Sequence, residues 1–216
     1  MSKKIMITNV ILILLSLILA FMTKGSFYSA DDGTPISEYS VFLSYPISID
    51  KDFILDELKK VDLIAKVRFT GERNPSYISV KSIVIIEDVY KGDTNLVGEY
   101  ITIIEQNYFN HDSKMYIPFS FFNLMRENEQ YFVFLIKKDY MVAYQNKLQF
   151  YEFFPYPYEF SVFPVNNVRR EYINPLNDIL YKDIYEYDFL FFSDEEYDEV
   201  LNVQREIIRR FIDDIS

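Results

Sequence analysis

The stretch Val61-Asp62-Leu63-Ile64-Ala65-Lys66-Val67-Arg68-Phe69-Thr70 decides the fold class of this chain. Val61, Leu63, Ala65, Val67 and Phe69 alternate with Asp62, Lys66, Arg68 and Thr70. Strict alternation puts one set of side chains on each face of a pleated strand, so this is a half-buried β-strand. Downstream, Gly71 to Ser76 contains Gly, Asn and Pro and reads as a turn. Ile78, Val80, Val84 and Ile86 then mark the inner face of a second strand. Past Ile85 the phase changes across Glu87, Asp88, Val89 and Tyr90, which predicts a β-bulge. Lys91-Gly92-Asp93 make a turn, and Tyr100 to Glu105 is a third strand with Ile101 and Ile103 on one face.

Further along, residues 107–130 read as irregular and hold the single histidine, His111, with an aromatic run of Phe119, Phe121 and Phe122. Tyr131 to Ile136 is apolar on both faces, as a central, covered strand is. Tyr140–Tyr144 and Leu148–Phe154 read as a hairpin turning at Gln145, Asn146 and Lys147. Pro155, Pro157 and Pro164 interrupt the aromatic segment that follows. Upstream, Ser48 or Asp50 caps a short helix over 51–60, with Phe53, Ile54, Leu58 and Val61 on one side. At the other end, Ser193 and Glu196 form a capping box. Tyr197, Val200, Leu201, Ile207, Ile208, Phe211, Ile212 and Ile215 then make one apolar stripe.

These elements predict an α+β, mainly β fold: an antiparallel, OB-like β-barrel over residues 48–216, with a short helix before it and a long amphipathic helix after it. From Leu58 to Lys137 the chain resembles a loosely defined group of exported bacterial domains, similar in outline to netrin-like and metalloproteinase-inhibitor domains. The resemblance rests on Val61-Asp62-Leu63-Ile64, Ile86-Glu87-Asp88-Val89-Tyr90-Lys91-Gly92-Asp93 and Tyr131-Phe132-Val133-Phe134-Leu135. Where that pattern carries Lys-Gly before the last strand, this chain has Glu127-Asn128-Glu129, and Asn tolerates positive φ. The chain has no cysteine, so the amino-terminal Cys wedge of the animal inhibitors is missing and inhibition by that route is not implied.

Ahead of the fold, Ile5 to Met22 contains eighteen residues without a charge, preceded by Lys3 and Lys4 and followed by Lys24. As a helix this run would rise about 27 Å, close to the hydrocarbon thickness of a bilayer. Residues 1–24 therefore read as a signal anchor or a signal peptide; the length favours the anchor, since a cleaved leader has a shorter apolar core. The flanking lysines predict the following domain outside the membrane. Residues 25–47 read as a linker, with Asp31, Asp32, Gly33, Thr34 and Pro35 as turn formers. The expected location is thus the cell membrane, single-pass with the domain outside, or the exterior if the leader is removed. The lack of disulfides and the Ile-, Tyr-, Phe-, Asn- and Lys-rich composition suggest a Gram-positive surface.

The chain carries a net charge of −11; three lysines and no acid stand before residue 25, which leaves −14 on the rest. That balance opposes nucleic acid and anionic lipid surfaces. Thiolate catalysis and Cys-zinc sites are excluded. Gly25, Gly33, Gly71, Gly92 and Gly98 have no phosphate-loop or dinucleotide spacing, and no G-x-S-x-G occurs. Ser48-Ile49-Asp50-Lys51 matches S-x-x-K, but its S-D-N and K-T-G companions are missing, so Ser48 reads as a helix cap. His111 reads as an exposed loop residue. Asp194, Glu195, Glu196, Asp198 and Glu199 offer oxygens for calcium, yet acids in a first helical turn also oppose its dipole.

The expected function is a non-enzymatic binding module without cofactor or metal, held at the membrane through residues 5–22 and engaging another cell-surface protein. Its candidate contact residues are Phe119, Phe121, Phe122, Tyr151, Phe154, Tyr156 and Tyr158, from the aromatic runs at 119–122 and 151–163. Burial in the core is the favoured reading of the second run, because a large exposed aromatic patch is hazardous. Two alternatives are a hydrolase using paired carboxylates and an inhibitor or immunity protein whose acidic face blocks a secreted enzyme. An enzyme should show inward-facing acids with raised pKa values, and a binding module an exposed aromatic patch.

Overall fold

The computed structural model of the chain describes residues 34–42, 49–75, 79–118, 121–137, 151–156, 160–166, 168–173 and 178–213. Residues 5–22, the expected membrane segment, lie outside them, as does most of the expected 140–154 hairpin. Among the described residues no helix is long and apolar enough to cross a membrane.

Helix α1 (Lys51–Leu58) is capped by Asp50, whose carboxylate accepts the Phe53 N–H at 3.0 Å. It buries Ile54, Leu55 and Leu58, while Phe53 faces solvent at 57% exposure, so the inward face is rotated from the predicted one. Strand β2 (Leu63–Pro75) buries Leu63, Ala65, Val67 and Phe69, and Ile64 as well. The strand does not turn at Gly71. Its register against β3 (Val80–Lys91) runs from Phe69↔Val84 to Arg73↔Ser82, so surplus residues bulge out around Gly71, which takes φ +88°. Two further register shifts place extra residues of β3 between Ile86 and Asp88 and between Val89 and Lys91, where the alternation of the sequence broke phase.

Strand β4 (Tyr100–Glu105) pairs with β3, and β7 (Gln130–Lys137) pairs with β2. Asn128, in the turn before β7, has φ +62°, the conformation its side chain tolerates. Residues 107–130 are not wholly irregular: β5 (Tyr108–Asn110) and β6 (Met115–Ile117) form a hairpin. β1 (Ser40–Val41) adds to β6 in parallel, so part of the expected 25–47 linker belongs to the fold. β8 (Tyr151–Pro155) lies between β4 and β7, and β9 (Val162–Pro164) continues along β7. β10 (Arg170–Tyr172) and β11 (Phe189–Phe191) form a parallel pair beside a short helix, α2 (Tyr181–Ile184).

The main sheet has the order β2-β3-β4-β8-β7-β9, with β2 also paired to β7. The expectation of an antiparallel, closed barrel needs two corrections. The sheet is mixed, because β4 and β8 run parallel. It is not closed along its length: β4–β8 and β7–β8 share three-residue ladders, and β9 pairs with β7 alone among the described strands. Pro155 and Pro164 sit in these short ladders, where the missing N–H limits pairing.

Helix α3 (Asp194–Ile208), continued by a π-helical turn over Arg209–Asp213, covers the sheet. Val200, Val203, Ile207 and Ile212 are buried in the main core, and Phe211 meets Phe134 of β7 at 5.9 Å. A second, smaller core gathers Tyr39, Val80, Phe109, Tyr116, Leu124, Ile173, Ile184 and Leu190.

Candidate functional site

Of the expected contact residues, those whose side chains are described are buried or half-buried. Phe121 and Phe122 are buried, at 6% and 7% exposure. Phe121 packs on Phe160 and Phe191, and Phe122 on Tyr131 and Phe189. Both aromatic rings are therefore core, where apolar burial outweighs any use in recognition. Tyr151 and Phe154 contribute backbone to β8, opposite Ile101 and Ile136. Tyr156 is half-buried and donates its hydroxyl to the Glu57 carboxylate, which also takes the Lys60 ammonium. Phe119 and Tyr158 lie outside the described residues. Phe153, Phe160 and Phe163 are buried, the favoured reading of that aromatic segment.

What the segment 121–126 does carry is a line of buried polar groups between the two cores. Asp188, in the turn before β11, is fully buried. Its Oδ1 accepts Arg126 Nε at 3.0 Å and the Tyr131 hydroxyl at 3.1 Å; its Oδ2 accepts Arg126 Nη2 at 2.8 Å and the Arg169 N–H at 2.8 Å. The guanidinium fork matches both oxygens, the geometry in which a buried charge pair is best held. Burial, reinforced by the Asp188 charge, pushes the Tyr131 hydroxyl well above its ordinary pKa. Tyr131 thus remains a neutral donor to Asp188, while its oxygen accepts the Arg126 N–H at 2.7 Å.

Glu105, at the end of β4, is also a buried carboxylate. It takes the Ser82 hydroxyl from β3 and the Met125 N–H at 3.1 Å, with Arg73 Nε of β2 at 3.8 Å. Burial pushes its carboxyl up, against the opposing pull of Arg73, Ser82 and Met125. Arg73 also donates to the Met125 carbonyl and lies 4.3 Å over the Phe69 ring. Next along, Asn123 accepts the Tyr116 hydroxyl at 2.5 Å and donates to the carbonyls of Ile184 and Tyr187. Asn107 donates to the Phe122 carbonyl at 2.9 Å. These hydrogen bonds satisfy buried groups that would otherwise cost their full desolvation, while Arg73 Nε, 3.8 Å from Glu105, makes none.

A serine hydroxyl on a carboxylate suggests a nucleophile and its base, and an acid with a raised pKa suggests a proton donor. Ser82 is 0% and Glu105 4% exposed, however, and both Glu105 oxygens are committed to protein donors. The arrangement fixes the path of residues 121–126 and joins the two cores. The sequence reading missed it because its members lie on β2, β3, β4, β7 and the turn before β11. The one local signal was an acid closing an otherwise apolar strand, Glu105 after Ile104.

His111 is half-buried rather than exposed, with Nδ1 2.8 Å from the Tyr39 hydroxyl. Ser48 lies outside the described residues. Ser193 caps α3 by accepting the Glu196 N–H, and Glu196 reaches back to the Phe192 N–H, one residue before the cap. Among the described residues no group of three or more His, Cys, Asp or Glu is placed to hold a metal ion. No protein-family model matches the chain, and no curated protein matches it.

Proposed function

We propose that this chain is a membrane-tethered or secreted extracytoplasmic interaction module, without catalytic activity, on an OB-like scaffold. One observation carries the non-catalytic part: the three buried carboxylates among the described residues, Glu57, Glu105 and Asp188, spend their oxygens on basic side chains, hydroxyls and backbone N–H groups. The scaffold reading is supported by the ring of pairings from β2 through β3, β4, β8 and β7 back to β2. The export reading is supported by the uncharged run Ile5–Met22 behind Lys3 and Lys4.

With Phe121, Phe122, Phe153, Phe160 and Phe163 in the core, charge is one surface chemistry open to a partner. Asp52, Asp56, Asp62, Asp88 and Asp93 are exposed, and residues 25–216 carry the −14. This favours a protein partner with a basic face, the inhibitor or immunity role included, because complementary charge steers association. The test is capture by the full-length, membrane-extracted chain from the envelope of a Gram-positive host. A partner held at low salt and released by added salt is the expected result. Recovery of the full-length chain from the cytosolic fraction, protected from protease added outside the cell, would overturn the reading.

A further inference from the structure

The segment 34–42 is fastened to the domain at several points. Ser40 N–H donates to the Lys114 carbonyl at 3.0 Å, Val41 N–H to Ile179 at 2.8 Å and Phe42 N–H to Tyr116 at 2.9 Å. The Tyr181 N–H returns a bond to the Tyr39 carbonyl at 2.8 Å. Between these bonds Tyr39 is sunk to 2% exposure against Phe109, with its hydroxyl on His111 and the Lys114 ammonium 5.7 Å above its ring. A free spacer would leave these backbone groups to water. Here they are paired with β6 and the residue before it, with α2 and with Ile179 two residues before α2, and a tyrosine of the segment belongs to the second core.

Chain geometry then bounds the tether. Only residues 23–33 separate Met22 from the fastened segment, a fully extended length of about 40 Å. Had residues 23–47 all served as spacer, the reach would be about 85 Å. A compact domain of this size has a radius of gyration of about 16 Å, so the tether is hardly longer than the domain is wide. We infer that residues 34–42 are a structural clamp that keeps the domain's point of attachment within about 40 Å of the bilayer, so that it engages membrane-held proteins rather than wall-distal ones. This rests on the anchor reading proposed above.

The cysteine-free chain gives a clean background for the test. Ser40 and Met115 are direct Cα partners across β1 and β6, and neither is buried. In the full-length S40C/M115C chain, mild oxidant should close an intramolecular disulfide in most molecules. A dye on full-length S40C in phosphatidylcholine vesicles should transfer energy to headgroup acceptors. A 20-residue Gly/Ser insertion between residues 33 and 34 should cut that transfer severalfold. A chain that inserts in the vesicles but keeps both thiols free, or ignores the insertion, overturns the clamp and leaves the anchor standing. A chain that stays out of the vesicles sinks the anchor, and this inference with it.

Discussion

The main sheet and the small corner built on β1, β5, β6, β10, β11 and α2 hold themselves together by different means. The sheet buries aliphatic rows, Leu63, Ala65 and Val67 on β2, Val84 and Ile86 on β3, Val133 and Leu135 on β7, each row taken from one continuous strand. The corner takes one or two residues from each of many short segments, and several of its aromatic side chains carry a polar handle. Tyr116 is tied to Asn123, and Tyr39 to His111. Strands of two or three residues bury little apolar area and leave many backbone groups to satisfy. Such a corner needs side-chain hydrogen bonds where a long sheet supplies its own ladder. Asp188 joins the two regions, since it binds Tyr131 of β7 and the backbone that enters β10.

That contrast can be broken most forcefully at the junction. Asp188→Ala removes the buried, bidentate counter-ion of Arg126, 9% exposed, which keeps Glu129 at 3.3 Å. A loss of about 3–5 kcal/mol in denaturant unfolding is expected, as for other buried pairs stripped of one partner. A loss under about 1 kcal/mol, the worth of a surface pair, would mean that the two regions do not depend on this link.

A smaller effect is expected within the sheet. At Gly71 the backbone has φ +88°, and an added Cβ would fall 2.7 Å from side-chain atoms of Glu127. The Glu127 side chain can swing aside, but the left-handed backbone remains strained, so Gly71→Ala should cost about 1–3 kcal/mol in thermal unfolding. Unchanged stability would show that the bulge relaxes freely.

Smaller again, Tyr39→Phe removes one hydrogen bond and keeps the ring. The expected loss is about 1 kcal/mol. Its hydrogen-exchange signature should be confined to residues 36–42 and their partners on β6; a change spread over β2 and β3 would join the regions more closely than their separate cores suggest.

The smallest effect is read as a slope against pH. Burial raises the Glu105 carboxyl in the folded state, so the fold favours its neutral form. Its contribution to stability is therefore complete below the ordinary carboxylate range and is lost as pH rises through the raised folded-state value. Glu105→Gln should lack that component, and its Tm should fall less than the parent's between mildly acid and neutral pH. Parallel Tm profiles would place the proton elsewhere.

The sequence by itself determined the long elements and their local caps. Alternation gave β2, β3 and β4, a run apolar on both faces gave β7, and the break in phase after Ile85 marked real bulges. Asp50 and Ser193 cap their helices, and Asn128 takes positive φ, because these effects act within a few residues. Only the tertiary structure decided that β8 joins β4 in parallel, that β1 docks on β6, and that Phe121 and Phe122 turn inward. It alone brought Arg126 to Asp188, 62 residues away, and Ser82 to Glu105, 23 residues away. A buried charge finds its partner wherever the fold places one, and no period along the chain encodes that meeting.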